Sequence, residues 1–102
     1  MNVKYKNACG VLSLFIYGEL DECTASNAKN ILDNILLSNG NAKKVIFDLS
    51  GVTFMDSTGI GLLIGRYKTI MQFNIPSYIT GASAQTEKVL QLAGLYSIMP
   101  KF

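Results

Sequence analysis

The side chains best suited to chemistry lie close together in one stretch of the chain. The segment FMDSTGIGLLIGRYK, residues 54–68, places Asp56, Ser57, Thr58 and then three glycines at the head of an apolar run. Such a set could form a glycine-rich phosphate cradle, a serine nucleophile with its helper, a serine that accepts a phosphate from another protein, or a well-capped helix. Each alternative predicts a different kind of protein.

The phosphate-cradle alternative fails on spacing. Gly59, Gly61 and Gly65 come near the G-x-G-x-x-G pattern, but the last gap is one residue too long. The first glycine also lies well beyond the preceding predicted strand, and no acid follows at the expected distance. The stretch is not a Walker A loop either, because it lacks the Gly-Lys-Ser/Thr ending of that motif. Nucleotide or other small-ligand binding is therefore not favoured, and we expect no cofactor.

The nucleophile alternative lacks a base. The chain contains no histidine, which removes Ser-His-Asp and Cys-His activation. The neighbouring Asp56 is a poor base at neutral pH because its unperturbed pKa is low. Two cysteines without histidine make no plausible zinc site. The sequence therefore predicts neither an intrinsic enzyme nor a metal site.

The capped-helix and phosphoserine alternatives are compatible with each other. Asp56 or Ser57 can cap the following helix, and Gly61 with Gly65, on one helix face, predict a close approach to the sheet or to a neighbouring helix. One cap does not explain three polar residues. A phosphate on Ser57 would be tolerated at a helix start and would add about −1.5 to −2 charges, so that binding could change while the fold survives.

Composition limits the remaining classes. The 102 residues are 49% hydrophobic and 16% charged, which predicts one compact domain. The net charge of +2 comes from scattered lysines and a single arginine, and we expect no nucleic-acid partner. No apolar run is long enough to span a bilayer, and no signal peptide is evident, so we expect a cytoplasmic protein without a membrane partner. Cys9 and Cys23 are then typical of reduced thiols, one of which could be buried.

Hydrophobic periodicity predicts the elements that position this stretch. Two strands form a hairpin, an amphipathic helix capped by Asp21 or Thr24 follows, and strands and helices then alternate. The chain is predicted to be α/β, with a mixed sheet of four to five strands and about three main helices. The predicted ranges are strands at 3–6, 11–20, 44–49 and 75–80, an edge strand at 95–99, a loop at 50–55, and helices at 24–38, 56–71 and 83–93, the last with Ala93 inward.

The predicted topology gathers acidic residues at one edge of the sheet. Parallel neighbouring strands finish at the same edge, where polar loops commonly carry function. Ser57 would lie among the acids there, which predicts a surface for a partner whose docking face is basic and uses arginine. The five acids expected at this edge are Glu19, Asp21, Glu22, Asp48 and Asp56.

The stretch VIFDLSGVTFMDSTGIGLLIGRYK strongly resembles the core of the STAS domain. With GELD at 18–21 and LAGLYSIM at 92–99, the chain is similar over nearly its whole length to the anti-sigma factor antagonists within that family. The DSTG segment carries the family resemblance, and GRYK is more similar to the sporulation members than to the general stress-response members. The resemblance implies a single STAS domain over residues 1–102.

The resemblance also implies a function and a site. Proteins of this kind bind an anti-sigma factor that is also a serine kinase, release the sporulation sigma factor from it, and are inactivated when the kinase phosphorylates the serine equivalent to Ser57. A PP2C-type phosphatase then restores the active form. Thr58 stands where many members have a second serine, which leaves a neighbouring hydroxyl as an alternative acceptor. A STAS module that binds its partner without phosphorylation is the alternative function. The implied partner-binding residues are Glu19, Asp21, Asp56, Ser57, Thr58, Gly59 and Gly61.

Overall fold

The computed structural model describes residues 2–102 of the chain. Strands and helices alternate after an initial hairpin, as the hydrophobic pattern predicts. A single 3-10 turn, Leu95–Ser97, follows the last helix. The elements are β1 (Asn2–Ala8), β2 (Val11–Leu20), α1 (Ala25–Ser38), β3 (Lys44–Met55), α2 (Ser57–Gln72), β4 (Ser77–Thr80) and α3 (Ala84–Leu92).

The four strands form one mixed sheet in the order β1-β2-β3-β4. β1 and β2 pair antiparallel through a two-residue turn at Cys9 and Gly10, whose φ angles of 55° and 83° match the twist of a hairpin. β2 pairs with β3, and β3 with β4, in parallel. α1 and α2 are the connections between these parallel strands. The predicted α/β class and the predicted mixed sheet of four to five strands are confirmed.

The core lies on one face of the sheet. Alternate residues of β2 are buried, and the buried side chains of all three helices join them in one hydrophobic cluster. The central members of this cluster include Leu14, Ile16, Leu32 and Phe47, which are fully buried. Ile46, on the opposite face of β3, is the one buried hydrophobic residue of the described chain outside the cluster. The three helices therefore cover one face of the sheet and leave the other without a helix.

An ion pair joins the first two helices. Arg66 of α2 is buried, and its Nε lies 2.9 Å from Oδ1 of Asp33 on α1. The Lys29 ammonium approaches the other carboxylate oxygen at 3.2 Å. The two atoms are not aligned for a hydrogen bond, and neither has another hydrogen-bond partner. The contact is therefore mainly an electrostatic attraction. It fixes the position of α2, the helix that begins at the DSTG segment.

Three predictions about the elements are wrong. Residues 50–55 are not a loop, because β3 continues to Met55 through its pairing with β2. Residues 95–99 are not an edge strand, because Gly94, with φ 70°, turns the chain into the 3-10 turn. The chain returns to the sheet only at Lys101, which forms an isolated parallel bridge with Ile79. Ala93 is exposed and does not point inward.

Two further observations concern the cysteines and the possibility of a membrane-spanning helix. Cys9 and Cys23 are both free and exposed, so neither is the buried thiol that the sequence allowed. Among residues 2–102, no helix combines the length and apolar character needed to cross a bilayer.

Candidate functional site

The DSTG segment lies where β3 passes directly into α2. β3 ends at Met55 and α2 begins at Ser57, so Asp56 is the whole connection. Leu20, the last residue of β2, is paired with Met55, and its carbonyl accepts a hydrogen bond from the Asp56 N–H at 3.4 Å. The site is therefore held at the shared carboxyl end of two parallel strands.

Asp56 is the N-cap of α2. Its Oδ1 accepts hydrogen bonds from the Thr58 N–H at 2.9 Å and the Gly59 N–H at 3.4 Å, which confirms one of the two predicted caps. Ser57 is the first helical residue, is exposed, and takes no part in this cap. The cap accounts for the presence of Asp56, but it assigns no structural role to the Ser57 hydroxyl. Thr58 is half-buried, which makes its hydroxyl less accessible than that of Ser57.

The glycine that needs its small size is Gly59. A Cβ at Gly59 would lie 2.7 Å from Met55 Cγ and 3.0 Å from the Leu20 carbonyl oxygen. At Gly61 and Gly65 a Cβ would meet nothing within 4 Å. The predicted close approach through Gly61 and Gly65 is therefore wrong. The first turn of α2 rests on the strand ends at Gly59, and Gly61 is an exposed gap in the helix surface one turn from Ser57.

One of the predicted acids, Asp21, organises the turn after β2 through its carboxylate. Asp21 Oδ1 accepts hydrogen bonds from the Cys23 N–H at 2.9 Å and the Thr24 N–H at 3.2 Å. The Thr24 hydroxyl donates to the Glu19 carbonyl at 2.7 Å, so that Thr24 occupies the N-cap position of α1 without capping it. The carboxylate of Glu19 extends from the exposed side of β2, and Glu22 is exposed beside it.

Asp48 does not belong to this group of acids. It is paired with Phe15 on β2 and Thr80 on β4, seven residues before the end of β3. At about 3.3 Å per strand residue this separation is roughly 20 Å. Its carboxylate accepts hydrogen bonds from the N–H and hydroxyl of Ser50, at 2.9 and 2.6 Å. The structure thus brings together Glu19, Asp21, Glu22 and Asp56 around the start of α2, and the prediction for Asp48 is wrong.

Two aromatic residues beside the acids were not predicted as site residues. The pairing of β3 with β2 shifts twice, once after Phe15 and once between Gly18 and Glu19. At the second shift β3 gains an extra residue, Thr53, and Phe54 becomes the partner of Glu19. Phe54 is 41% exposed and Tyr17 is 39% exposed. The signal in the sequence was an aromatic residue, Phe54, two residues before Asp56, but the exposure of its ring depends on the bulge.

A shallow cleft of about 160 Å³ lies elsewhere, at the β4 edge of the sheet. Glu87, Tyr96 and Lys101 line it, and Lys101 forms an ion pair with Glu87. The hydrogen bond from Lys101, reinforced by its charge, lowers the pKa of the Glu87 carboxyl, whereas burial raises the pKa of the Tyr96 phenol. Within residues 2–102 no cluster of three or more cysteine or acidic side chains could hold a metal ion.

Comparison with known proteins gives consistent similarities. Residues 2–102 match the family model described as the STAS domain. The chain is 28% identical to an anti-sigma F factor antagonist of Paenibacillus polymyxa, over 98% of this chain and 85% of the relative. It is 30% identical to an anti-sigma-B factor antagonist of Listeria monocytogenes, over 86% of this chain and 75% of the relative.

Solved structures share the fold. The unphosphorylated form of the anti-sigma factor antagonist SpoIIAA superposes with a TM-score of 0.80 at 22% identity, covering 99% of this chain and 88% of that one. The phosphorylated form of the Bacillus cell fate determinant SpoIIAA superposes with a TM-score of 0.71 at 22% identity, covering 99% and 91%. Similarity at this level extends to the arrangement of strands and helices that surrounds the DSTG segment.

Proposed function

The chain belongs to the STAS domain family, and we infer that it is an anti-sigma factor antagonist switched by phosphorylation of Ser57. In this proposal the unphosphorylated chain binds an anti-sigma factor that is also a serine kinase and thereby releases the sporulation sigma factor. The chain itself has no catalytic role. A PP2C-type phosphatase removes the phosphate and restores binding.

The observation that carries the proposal is the separation of roles between Asp56 and Ser57. Asp56 already accepts hydrogen bonds from two N–H groups at the start of α2, and the neighbouring Ser57 is exposed and takes no part in that cap. A hydroxyl in that position is accessible to a kinase. A phosphate there can be added without breaking the contacts that hold the helix in place.

The acids around Ser57 give the phosphate its effect on binding. Glu19, Asp21, Glu22 and Asp56 already make the joint end of β2 and β3 negative, which favours a partner with a basic surface. A phosphate would add about −1.5 to −2 charges to this surface and three more hydrogen-bond acceptors that need donors. A partner fitted to the unphosphorylated surface would have to desolvate those extra charges, and binding would weaken.

The assignment to sporulation is the finer part of the proposal. It is supported by the resemblance of the GRYK segment and by the similarity to a named anti-sigma F factor antagonist. The similarity to a named anti-sigma-B factor antagonist provides the competing assignment. Binding measured against both kinds of anti-sigma factor from the source bacterium would separate the two, since the proposal requires the sporulation protein to bind more tightly.

The intact mass after incubation with the purified anti-sigma kinase and ATP tests the switch. We expect one added phosphate on the wild-type chain and none on Ser57→Ala. Ser83→Ala is the matched control, because Ser83 is an exposed serine at another helix start but its hydroxyl caps α3 by accepting from the Thr86 N–H. The control should be phosphorylated like the wild type.

The other outcomes distinguish the alternatives. A phosphate that persists on Ser57→Ala would move the acceptor to Thr58 or Ser83, and the corresponding alanine variants would identify it. If an active kinase binds the wild-type chain but adds no phosphate, the chain is a constitutive STAS-type binding module. If the chain binds no anti-sigma factor of its own bacterium, the proposed function is wrong.

A further inference from the structure

The uncovered face of the sheet presents two aromatic rings at the end that carries Ser57. Tyr17 and Glu19 alternate along β2 with the buried Ile16 and Leu20, so their side chains lie on the face without helices. Phe54 is the partner of Glu19 in the neighbouring strand and lies on the same face. The three side chains form one patch, which we call the aromatic patch: Tyr17, Glu19 and Phe54.

The bulge in β3 is what exposes Phe54. Val52 is buried, and simple alternation along a strand would bury the residue two positions later, which is Phe54. The extra residue Thr53 breaks this alternation, so that Thr53 and Phe54 are both exposed and Met55 returns to the core. Bulges of this kind commonly redirect a side chain beside a functional site. Here the bulge removes a large ring from the core and presents it to solvent.

The Tyr17 ring is held in place before any partner arrives. It lies against Gly51, where a Cβ would collide with the ring. On β1 the Lys4 ammonium lies 5.9 Å from the ring centroid, within range of a cation–π contact. An aromatic ring that is already ordered loses little conformational freedom on binding, which favours affinity.

We propose that the aromatic patch is the apolar anchor for the same partner that recognises the acidic surface around Ser57; this inference rests on the proposed function. The occupant is a protein surface in which an apolar side chain is flanked by arginine or lysine. Phe54 lies three residues before Ser57 on a continuous backbone, so one partner can cover both. Glu19, inside the patch, and Asp56, Asp21 and Glu22 beside it provide the complementary charge.

The acids and the rings have different roles in this interface. Exposed charges mainly accelerate encounter and select the partner, whereas buried aromatic anchors slow dissociation. Interfaces take most of their affinity from a few residues of this aromatic type. A surface of acids alone would bind basic proteins weakly and without selectivity. The aromatic patch supplies the part of the affinity that salt does not screen.

The test is binding kinetics with the anti-sigma kinase that phosphorylates or binds the wild-type chain. We expect Phe54→Ala to weaken affinity by at least about tenfold, mostly through faster dissociation. Tyr17→Ala should act in the same direction. Glu19→Gln should instead slow association and flatten its dependence on salt. These separate signatures in the on-rate and off-rate would not arise from a general loss of structure.

Phe73→Ala is the matched control. Phe73 is the same residue type, is 44% exposed, and lies at the far end of α2 from Ser57. Its affinity should stay within about twofold of the wild type, because hot spots are few and local. Phe54→Thr removes the ring but keeps a good strand former, and it replaces Phe54→Ala if alanine lowers the melting temperature by more than a few degrees.

Each remaining outcome is decisive. Wild-type affinity and dissociation in the folded Phe54 variants would overturn the anchor and leave the proposed function standing. A wild-type chain that binds none of its bacterium's anti-sigma factors would overturn both. A chain that self-associates in sedimentation, and becomes monomeric on losing Phe54, would assign the patch to a second copy and overturn the partner assignment.

Discussion

Substitution of Gly59 by alanine tests the contact between α2 and the strand ends. The new Cβ would lie 2.7 Å from Met55 Cγ, 3.0 Å from the Leu20 carbonyl oxygen and 3.1 Å from Leu20 Cβ. The Met55 side chain can rotate away. The carbonyl oxygen cannot, because it belongs to the backbone of β2 and accepts the Asp56 N–H. The first turn of α2 must therefore lift from the sheet.

Two effects of opposite sign set the magnitude. Overpacking of this kind typically costs about 1–3 kcal/mol, and the fixed carbonyl favours the upper part of that range. Alanine in place of glycine in a helix gains up to about 1 kcal/mol. The net loss is then about 2 kcal/mol in the free energy of unfolding. In a domain of this size that corresponds to a fall in melting temperature on the order of 10 °C.

Gly61→Ala is the control within the same helix. Its Cβ would enter open space, so only the helix-propensity gain remains. Thermal unfolding followed by circular dichroism should show Gly59→Ala melting below the wild type and Gly61→Ala at or above it. If Gly59→Ala melted at the wild-type temperature or higher, the helix would not rest on the strands at this residue, and the account of how Ser57 is positioned would be refuted.

Three other substitutions follow from the structure. Ser57→Asp should melt like the wild type yet bind the anti-sigma kinase much more weakly than the neutral isostere Ser57→Asn, and equal affinities by calorimetry would contradict exclusion by charge. Arg66→Ala should lower the free energy of unfolding, measured in urea, by about 2 kcal/mol, because it leaves the half-buried Asp33 carboxylate without its buried partner. A change below about 0.5 kcal/mol would show that the fold does not need the pair. The lowered pKa of Glu87 means that its pair with Lys101 stabilises the fold above the usual carboxyl range and loses that effect as pH falls through the lowered value. The stability difference between wild type and Glu87→Gln should therefore shrink in acid, and a difference independent of pH would be inconsistent with that pair.

The order of elements could be predicted because each main element carries its own period. The alternation in β2 and the helical spacing in α1 and α2 are local patterns, and the structure confirms them. The second half of β3 could not be predicted in the same way. Ser50 and Gly51 favour a loop when considered alone, and this segment forms a strand only because β2 supplies hydrogen-bond partners as far as Leu20.

The candidate site was predictable in its residue types but not in its geometry. The cap by Asp56 follows from its place before a helical pattern. The spacing of Gly61 and Gly65 places them on one helix face, but it does not say whether that face contacts the sheet, and the structure assigns close contact to Gly59. The place of Asp48 depended on where β3 ends, so one error about a strand produced a second about a carboxylate. The exposure of Phe54 depends on a bulge that has no local pattern.

If Ser57 is phosphorylated as proposed, the one-residue connection between β3 and α2 limits which kind of kinase could modify it. Ser57 is already inside a helix and is fixed to the end of a paired strand, so an enzyme that requires an extended peptide in its cleft could not take the folded chain. The modifying enzyme would have to dock on the tertiary surface, and a synthetic peptide covering residues 54–68 would be a poor substrate. Phosphorylation of Ser57 would then occur only on the folded chain, because an unfolded chain would lack the surface that the enzyme recognises.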